Sequence, residues 1–332
     1  MLDIEINTVC NLRCKTCFVD GYHRFDAPVT VPRERVRAIM AAGREQFGGT
    51  LHLMGGEPLL HPELLEIISD GFDMGFSSVM INTNGTRVDA AMAARLAAFP
   101  AVDVLVSLDG PEPLNDEIRG PGVYRRALEA IRLLHEAGVQ TSAMVTVTRR
   151  LLPLLPGWVG ELRNLGALKV IHLMPVGQLA AESRPGAGAY TELLTAQELL
   201  QLYLVSWVNR PLTRITEDPL VNLFYHKMGL QPRRSDQCEA CSSRIAVQAD
   251  GRVSPCHPSD FAFGRFDELD LAELPQAETY RRMAANDFDL CRDCRYHDIC
   301  GMCGARVYAA TGNPLGGTPI CVELKQLLGL QG

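Results

Sequence analysis

The stretch NTVCNLRCKTCF, residues 7–18, places Cys10, Cys14 and Cys17 in one short segment directly after an apolar, β-like run. Thiolates at this spacing are typical ligands of zinc or of an iron–sulfur cluster. Three thiolates leave one iron of a four-iron cluster without a protein ligand, and a catalytic metal centre needs such an open position. The stretch therefore predicts an open iron–sulfur site; the alternatives are a zinc site or three unrelated buried thiols.

The composition limits the class of protein. A chain of 332 residues with 47% hydrophobic residues can bury the core of a barrel with an appended module. The net charge of −7 argues against a nucleic-acid partner and favours a neutral or cationic one. We find neither a charged, apolar leader nor an apolar run near the roughly 18 residues of a membrane span, so we expect a cytoplasmic protein with no membrane partner. In that reducing compartment, the eleven cysteines are expected to be metal ligands rather than a disulfide framework.

Short β-branched or apolar runs alternate with segments that carry apolar residues at helical spacing. The expected strands are Asp3–Asn7, Thr50–Met54, Ser78–Asn82, Asp103–Ser107, Thr141–Val147 and Val170–Leu173. The expected helices between them include Arg33–Phe47, Pro62–Gly75, Val88–Phe99 and Tyr124–Ala137. Repeated strand–helix units predict an α/β protein with a parallel sheet.

Each motif of the first half follows one of these strands. The cysteine segment follows the first strand, Gly55-Gly56-Glu57-Pro58 the second, Thr83-Asn84-Gly85 the third and Leu108-Asp109-Gly110 the fourth. In a barrel of parallel strands, the chemistry collects in the loops at the carboxyl ends of the strands. We therefore expect these motifs to meet at one face of the barrel.

The strand–helix pattern ends in the second half of the chain. A loop is expected over residues 175–192, and helices over Thr195–Asn209 and Leu220–Met228. From Cys238 onward the sequence contains cysteine clusters and little predicted helix, with a small hairpin formed by Arg244–Gln248 and Arg252–Ser254. We expect a barrel over residues 1–210, a linker with a bridging helix over 211–231 and a second domain over 232–332.

The combination of C-x3-C-x2-C, G-G-E-P, T-N-G-T and S-L-D-G after four successive strands resembles the radical SAM superfamily. The resemblance implies a partial (β/α)6 barrel and a [4Fe-4S] cluster whose open iron binds S-adenosylmethionine through its amino and carboxylate groups. One electron, for which we expect flavodoxin or ferredoxin as donor, then cleaves the sulfonium to a 5′-deoxyadenosyl radical. Family members usually carry an aromatic residue before the third cysteine, where this chain has Thr16.

The resemblance also indicates residues that contact S-adenosylmethionine. Gly55 and Gly56 allow a close backbone approach, and Glu57 offers an acceptor for the methionine ammonium group. Asn84 and Ser107 occupy positions where family members contact the ribose or the carboxylate. The alternatives are an ordinary turn at G-G-E-P and polar side chains that cap loop backbone.

The C-terminal cysteines resemble the SPASM extension of radical SAM enzymes. Cys241, Gly251 and Cys256 form C-x9-G-x4-C, and residues 291–303 form C-x2-C-x5-C-x2-C, in which the last spacing is one residue shorter than is common in the family. The resemblance implies two closed auxiliary [4Fe-4S] clusters, three clusters in all. One would bind Cys238, Cys241, Cys256 and Cys303, and the other Cys291, Cys294, Cys300 and Cys321. The spacing alone also permits a pair of interleaved zinc sites.

The ligand count constrains the reaction. Three ligands of the first cluster and eight auxiliary ligands account for all eleven cysteines, so no thiol remains as a hydrogen-atom donor. A substrate radical can instead lose an electron to an auxiliary cluster, which describes dehydrogenation or oxidative bond formation. The base is expected to be His257, since sulfatase-maturing members have a catalytic aspartate at the corresponding position. The alternative is a hydrogen bond from His257 to a cluster sulfur.

The substrate class is less constrained by the sequence. Because Cys10 leaves no room for a preceding leader-binding domain, we expect a small molecule, and the acidic balance favours a cationic sugar or aminocyclitol that is dehydrogenated at an alcohol. A peptide or protein maturase is one alternative. A porphyrin side-chain oxidase is another, because CGMCGARVYAATG at residues 300–312 resembles the haem-modifying branch. A non-catalytic metal scaffold would not need Gly55-Gly56-Glu57.

Overall fold

The computed structural model describes residues 1–17, 27–175, 193–231 and 238–330. Ten strands form one sheet in the order β10-β9-β8-β1-β2-β3-β4-β5-β6-β7, and neighbours from β8 to β7 are parallel. The strands are β1 Leu2–Asn7, β2 Thr50–Gly55, β3 Ser78–Thr83, β4 Val102–Ser107, β5 Gln140–Val147, β6 Ile171–Pro175, β7 Thr213–Ile215, β8 Ile245–Val247, β9 Arg252–Ser254 and β10 Gly264–Arg265.

Helices cover the outer face of the barrel strands and form much of the C-terminal part. They are α1 Arg33–Phe47, α2 Leu64–Asp73, α3 Ala90–Ala97, α4 Glu112–Arg119, α5 Val123–Glu136, α6 Leu155–Asn164, α7 Ala196–Val208, α8 Val221–Lys227, α9 Glu278–Ala284, α10 Gly304–Thr311 and α11 Ile320–Leu327. No helix in these ranges is long and apolar enough to cross a membrane.

The strands and helices expected for the first half are confirmed within a few residues, and so are the two later helices and the hairpin of β8 and β9. The expectation of little helix after Cys238 is wrong, because α9, α10 and α11 lie there. Each of these helices has seven or eight residues, which is too short for a clear periodic pattern. The loop expected over 175–192 falls almost entirely outside the described residues, and the domain boundaries stay predictions.

The two faces of the barrel strands differ in chemistry. In β1, Leu2, Ile4 and Ile6 belong to the hydrophobic core, and Leu2 packs against Gly43 of α1. Successive side chains of a strand point to opposite faces, so Asp3, Glu5 and Asn7 point to the other side, the inside of the barrel. The core therefore lies between sheet and helices, and the inside of the barrel is polar.

The inside of the barrel is partly accessible. Along β3 to β7, the positions that contact the helices are buried, whereas alternate positions facing inward are mostly half-exposed. The half-exposed inward residues are Met80, Asn82, Asp103, Ser107, Met144, Thr146, His172, Met174 and Arg214. The inside of the barrel is thus lined by side chains that are partly accessible.

The C-terminal part continues the same sheet. Strand β8 pairs in parallel with β1, with Leu2 opposite Ile245 and Ile4 opposite Val247. Strand β9 then pairs with β8 in the antiparallel direction. Because the ladder is continuous, β1 connects the barrel directly to the cysteine-rich part of the chain.

Candidate active site

The cysteines fall into three groups whose members lie near one another. All eleven are free thiols. Cys10 interacts with Cys14, and Arg119 interacts with both Cys14 and Cys17. The second group is Cys238, Cys241, Cys256 and Cys303, and the third is Cys291, Cys294, Cys300 and Cys321. The structure therefore brings together the same three sets that the family resemblance implies.

The environment of these thiols suits a metal cofactor. Burial raises the pKa of Cys10 to about 11 and the pKa of Cys238 to about 12. Thiolates are the ligating form, so such buried sulfurs need a positive charge beside them to be deprotonated, and a bound metal supplies it.

Among the residues that the structure describes, no three His, Cys, Asp or Glu side chains converge closely enough to hold one metal ion. Groups of cysteine thiols are the usual ligands of iron–sulfur clusters.

Gly55 and Gly56 pack against the backbone that leads into the cysteine segment. The Gly56 N–H donates to Asn7 O at 2.9 Å, and the Glu57 N–H donates to Val9 O at 2.7 Å. A Cβ on Gly55 would lie 2.1 Å from Asn7 O, and one on Gly56 would lie 2.3 Å from Val9 O. Only glycine allows this approach. The two glycines therefore fix the cysteine segment against the loop after β2.

The Glu57 carboxylate is fully buried and accepts three hydrogen bonds. Its Oε1 accepts from Leu59 N at 3.1 Å and from Thr83 Oγ1 at 2.7 Å, and its Oε2 accepts from Asn84 N at 2.8 Å. Burial raises the pKa of Glu57, and these donors partly offset the effect. In this structure Glu57 joins the loops after β2 and β3, and the expected contact with an ammonium group stays a prediction.

A buried acceptor at the same place fits a ligand with an ammonium group. Asn7 Nδ2 donates to Glu57 O at 3.0 Å, which fixes the orientation of the amide. The opposite atom, Asn7 Oδ1, is buried and accepts no hydrogen bond from the described residues. A buried acceptor left without a donor costs free energy, and the methionine ammonium of S-adenosylmethionine would satisfy it.

Asn84 connects the loop after β3 to the cysteine segment. Its Nδ2 donates to Asn11 Oδ1 at 3.0 Å and lies 3.9 Å from Cys10 Sγ. Its Oδ1 accepts from Thr86 N at 2.9 Å. Ser107, at the end of β4, is half-exposed toward the inside of the barrel. Both residues thus border the expected site, and their contacts with a ribose or carboxylate stay predictions.

His257 forms a buried pair with a residue of the barrel that sequence reasoning missed. His257 Nε2 lies 2.7 Å from Glu5 Oε1, and Glu5 Oε2 accepts from Ala249 N at 3.0 Å. His257 follows Cys256 in sequence, and its contact with Glu5 joins this part of the chain to the inside of the barrel. The alternation of apolar and charged residues in β1 was the available signal for Glu5.

Arg244 lies between Cys256, which its charge affects, and the barrel residue Asp3, and sequence reasoning missed it as well. Its Nε lies 2.6 Å from Asp3 Oδ2, and its Nη1 lies 3.0 Å from Glu217 Oε1. His52 contacts the other oxygen of Asp3 at 3.2 Å. Burial alone would raise the pKa of Asp3, but the charge of Arg244 and the hydrogen bond with His52 hold it well below its usual range.

His172 lies on the inner side of β6, opposite Arg214 of β7. Its Nδ1 lies 3.0 Å from Thr216 Oγ1. Burial, followed by the charge of Arg214, lowers the pKa of His172 to about 4. His172 is therefore neutral near pH 7, and this wall of the barrel combines a neutral imidazole with one neighbouring arginine.

Comparison with known families identifies two regions. The family model described as Radical SAM superfamily matches residues 4–157, and the model described as Iron-sulfur cluster-binding domain (SPASM) matches residues 235–295. An AdoMet-dependent heme synthase of Oleidesulfovibrio alaskensis is 25% identical, covering 96% of this chain and 85% of that protein. The mycofactocin maturase MftC of Mycolicibacterium smegmatis is 29% identical, covering 96% of this chain and 81% of that protein.

Solved structures share the fold. SuiB of Streptococcus suis bound to its precursor peptide SuiA has a TM-score of 0.72 and 15% identity, covering 96% of this chain and 75% of that chain. The enzyme anSMEcpe with bound AdoMet has a TM-score of 0.71 and 19% identity, covering 99% of this chain and 96% of that chain. The two domains imply [4Fe-4S] clusters and binding of S-adenosylmethionine. Motifs, thiol groups, fold and family matches agree, and the chain belongs to the radical SAM superfamily as an enzyme with a SPASM domain.

Proposed function

We propose that this protein catalyses a net two-electron oxidation of a substrate bound inside the barrel. When bound, S-adenosylmethionine and the iron–sulfur clusters supply a hydrogen-abstracting radical and an acceptor for the second electron. We assign Cys10, Cys14 and Cys17 to the cluster that binds S-adenosylmethionine, and the two groups of four cysteines to auxiliary clusters. The boundaries after residues 210 and 231 are part of the same proposal, and so is a flavodoxin or ferredoxin as electron donor.

His257 is the proposed proton acceptor of this oxidation. Loss of a hydrogen atom and an electron leaves a proton to be removed, and an imidazole oriented by a carboxylate can take it. The 2.7 Å contact between His257 Nε2 and Glu5 Oε1 supports the assignment, because it holds the imidazole ring where the barrel meets the second group of cysteines.

The lining of the barrel carries the proposal on substrate class. Met80, Met144 and Met174 are half-exposed on the inside, and methionine side chains adapt to large, polarizable ligands. His172 and Arg214 add a neutral imidazole and a cation on one wall. This combination suits a bulky, partly apolar substrate with acidic side chains. The first candidate is a tetrapyrrole, in keeping with the heme synthases that match nearly the whole chain.

A peptide substrate is the second candidate. The mycofactocin maturases match with 29% identity, which is above the identity of the heme synthases. A peptide with an acidic side chain or a terminal carboxylate would also suit the lining. The cationic sugar or aminocyclitol expected from the net charge of −7 finds no support among the relatives.

The substrate assignment is tested with reconstituted enzyme, S-adenosylmethionine and a chemical reductant under anaerobic conditions. We expect an iron tetrapyrrole with carboxylate-bearing side chains, deuterated on those side chains, to transfer deuterium to 5′-deoxyadenosine and to yield an oxidised product. Arg214→Met should raise KM for this substrate about tenfold or more, the equivalent of one charge-assisted hydrogen bond.

The matched control is Arg150→Met, because Arg150 pairs with Glu117 on the surface at 2.9 Å. This variant should leave KM unchanged. Deuterium transfer from a peptide alone would assign the protein to the peptide-modifying enzymes, and transfer from an aminocyclitol alone would contradict the acidic-substrate proposal.

A further inference from the structure

A buried arginine of α4 contacts the middle cysteine of the C-x3-C-x2-C segment. Arg119 Nη1 lies 4.0 Å from Cys14 Sγ, at the limit of a hydrogen bond to sulfur. The side chain of Arg119 is only 11% exposed. Its charge also acts on Cys17. A guanidinium is always protonated in proteins, so Arg119 places a permanent positive charge beside the cysteines of the C-x3-C-x2-C segment.

Asp109 of the S-L-D-G motif fixes the position of that charge. Asp109 Oδ2 lies 2.8 Å from Arg119 Nε and 3.4 Å from Thr16 Oγ1. The other oxygen, Oδ1, accepts from Thr146 N at 3.1 Å, and the carboxylate is fully buried. Asp109 thereby contacts the cysteine segment, α4 and the end of β5 at once.

The backbone reinforces the arrangement. The Lys15 N–H, next to Cys14, donates to Ile118 O in the last turn of α4 at 2.9 Å. The guanidinium of the following residue, Arg119, therefore approaches Cys14 from a fixed direction. Cys10 has other polar neighbours, with Leu12 N at 3.4 Å and Asn84 Nδ2 at 3.9 Å from its Sγ.

We propose that Arg119 is a positioning residue that holds Cys14 and stabilises the reduced state of the cluster bound by the cysteine segment, with Asp109 opposing its charge. The inference rests on the proposed ligation by Cys10, Cys14 and Cys17. Reduction adds one negative charge to a cluster, so a fixed cation nearby raises the reduction potential and a fixed anion lowers it. Arg119 and Asp109 are therefore expected to shift the reduction potential of the cluster in opposite directions.

The test is the midpoint potential of that cluster, measured by redox titration with dithionite and followed by electron paramagnetic resonance. The cluster is identified by the signal that changes when S-adenosylmethionine is added. We expect Arg119→Met to shift its midpoint to more negative potential, Asp109→Asn to shift it to more positive potential, and Arg119→Lys to fall between Arg119→Met and the parent. Arg150→Met, the surface control, should leave it unchanged.

Iron content, measured on the same samples, separates the possible results. Shifts of the same sign in Arg119→Met and Asp109→Asn, or no shift in either at full iron content, would overturn the inference. Loss of iron from Arg119→Met that Arg119→Lys restores would support the contact with Cys14, and loss from both would overturn the tuning role. Absence of any signal that responds to S-adenosylmethionine in the unmodified protein would instead overturn the proposed function.

Discussion

Asp3 shows how one inward-facing side chain supports two parts of the protein. It belongs to β1 and pairs with Arg244, which precedes β8. Both side chains are buried, and removing one partner of a buried pair leaves an uncompensated charge. A second aspartate–arginine pair, Asp267 with Arg35, also joins the barrel to the C-terminal part, but Asp267 is 57% exposed.

We expect Asp3→Asn to lower the free energy of unfolding by about 3 kcal/mol. The control Asp267→Asn should lower the free energy of unfolding by at most about 1 kcal/mol, because exposed ion pairs contribute little to stability. The pKa of Asp3 lies below its ordinary value, so its stabilisation is present above about pH 4 and is lost as the pH falls through the lowered pKa.

Calorimetry under anaerobic conditions should therefore give the same difference in free energy of unfolding between wild type and Asp3→Asn from about pH 6 to 8. An equal loss of unfolding free energy in Asp3→Asn and Asp267→Asn would contradict the role assigned to Asp3.

Sequence reasoning predicted which residue types bear chemistry but not their partners. The cysteines, Gly55, Gly56 and Asn84 belong to local motifs that the sequence shows directly, and their roles stay predictions. Arg119, Glu5 and Arg244 are far in sequence from the groups they contact, so no local spacing marks them. The Glu57 contacts were missed for the same reason, since Thr83 and Asn84 come from the next strand.

Among the elements, the loop after β2 depends on two residues without side chains. The closeness of Gly56 to Val9 O leaves no room for a methyl group. We expect Gly56→Ala to displace the cysteine segment and to lower iron bound by Cys10, Cys14 and Cys17, with weaker binding of S-adenosylmethionine in equilibrium dialysis.

Gly49→Ala provides the control for this prediction. Gly49 precedes β2, and an added Cβ there would meet no atom within 4 Å. It should bind iron and S-adenosylmethionine as the parent does. Normal binding by Gly56→Ala would show that the close approach is not required.

The elements differ in how well the sequence predicts them. Strands β1 to β6 were predictable because buried parallel strands are rich in β-branched and apolar residues. Helix α4 carries only two large buried apolar residues, Leu114 and Ile118, and the sequence analysis did not propose it. Strand β7 has three residues, and it is recognised only by its pairing with β6.

At the scale of the whole molecule, the proposed assignment of three groups of cysteines to three clusters predicts about twelve iron atoms in the reconstituted protein. We expect the triple variant Cys10→Ala, Cys14→Ala, Cys17→Ala to retain roughly eight iron atoms and to form no 5′-deoxyadenosine. Iron and sulfide analysis under anaerobic conditions measures the first outcome, and chromatography of the nucleoside measures the second.

The control for this prediction is Cys321→Ala, which removes a ligand of the third group. It should lose auxiliary iron and still form 5′-deoxyadenosine, because the cysteine segment is intact. Zinc in place of iron in protein purified without oxygen would contradict the assignment of all three groups.

The architecture as a whole was predictable from the order of the motifs, but the joining of its two parts was not. The sequence indicates a hairpin at β8 and β9 and a strand at β1, and it contains no sign that β8 pairs with β1. The two strands are more than two hundred residues apart, so no local pattern marks their pairing. The contact between β1 and β8 can form only when both parts of the chain are present.

The same pairing has a consequence for the synthesis of the protein. Strand β1 meets β2 early, but its other partner begins at Ile245, more than two hundred residues later. At roughly 5–20 residues per second, a ribosome needs on the order of ten to fifty seconds to cover that distance. Throughout that time one edge of β1 presents unpaired N–H and C=O groups, which invite pairing with other chains. Chaperones, fast translation of this stretch or a low concentration of nascent chains would therefore limit wrong pairing until β8 emerges and closes the edge.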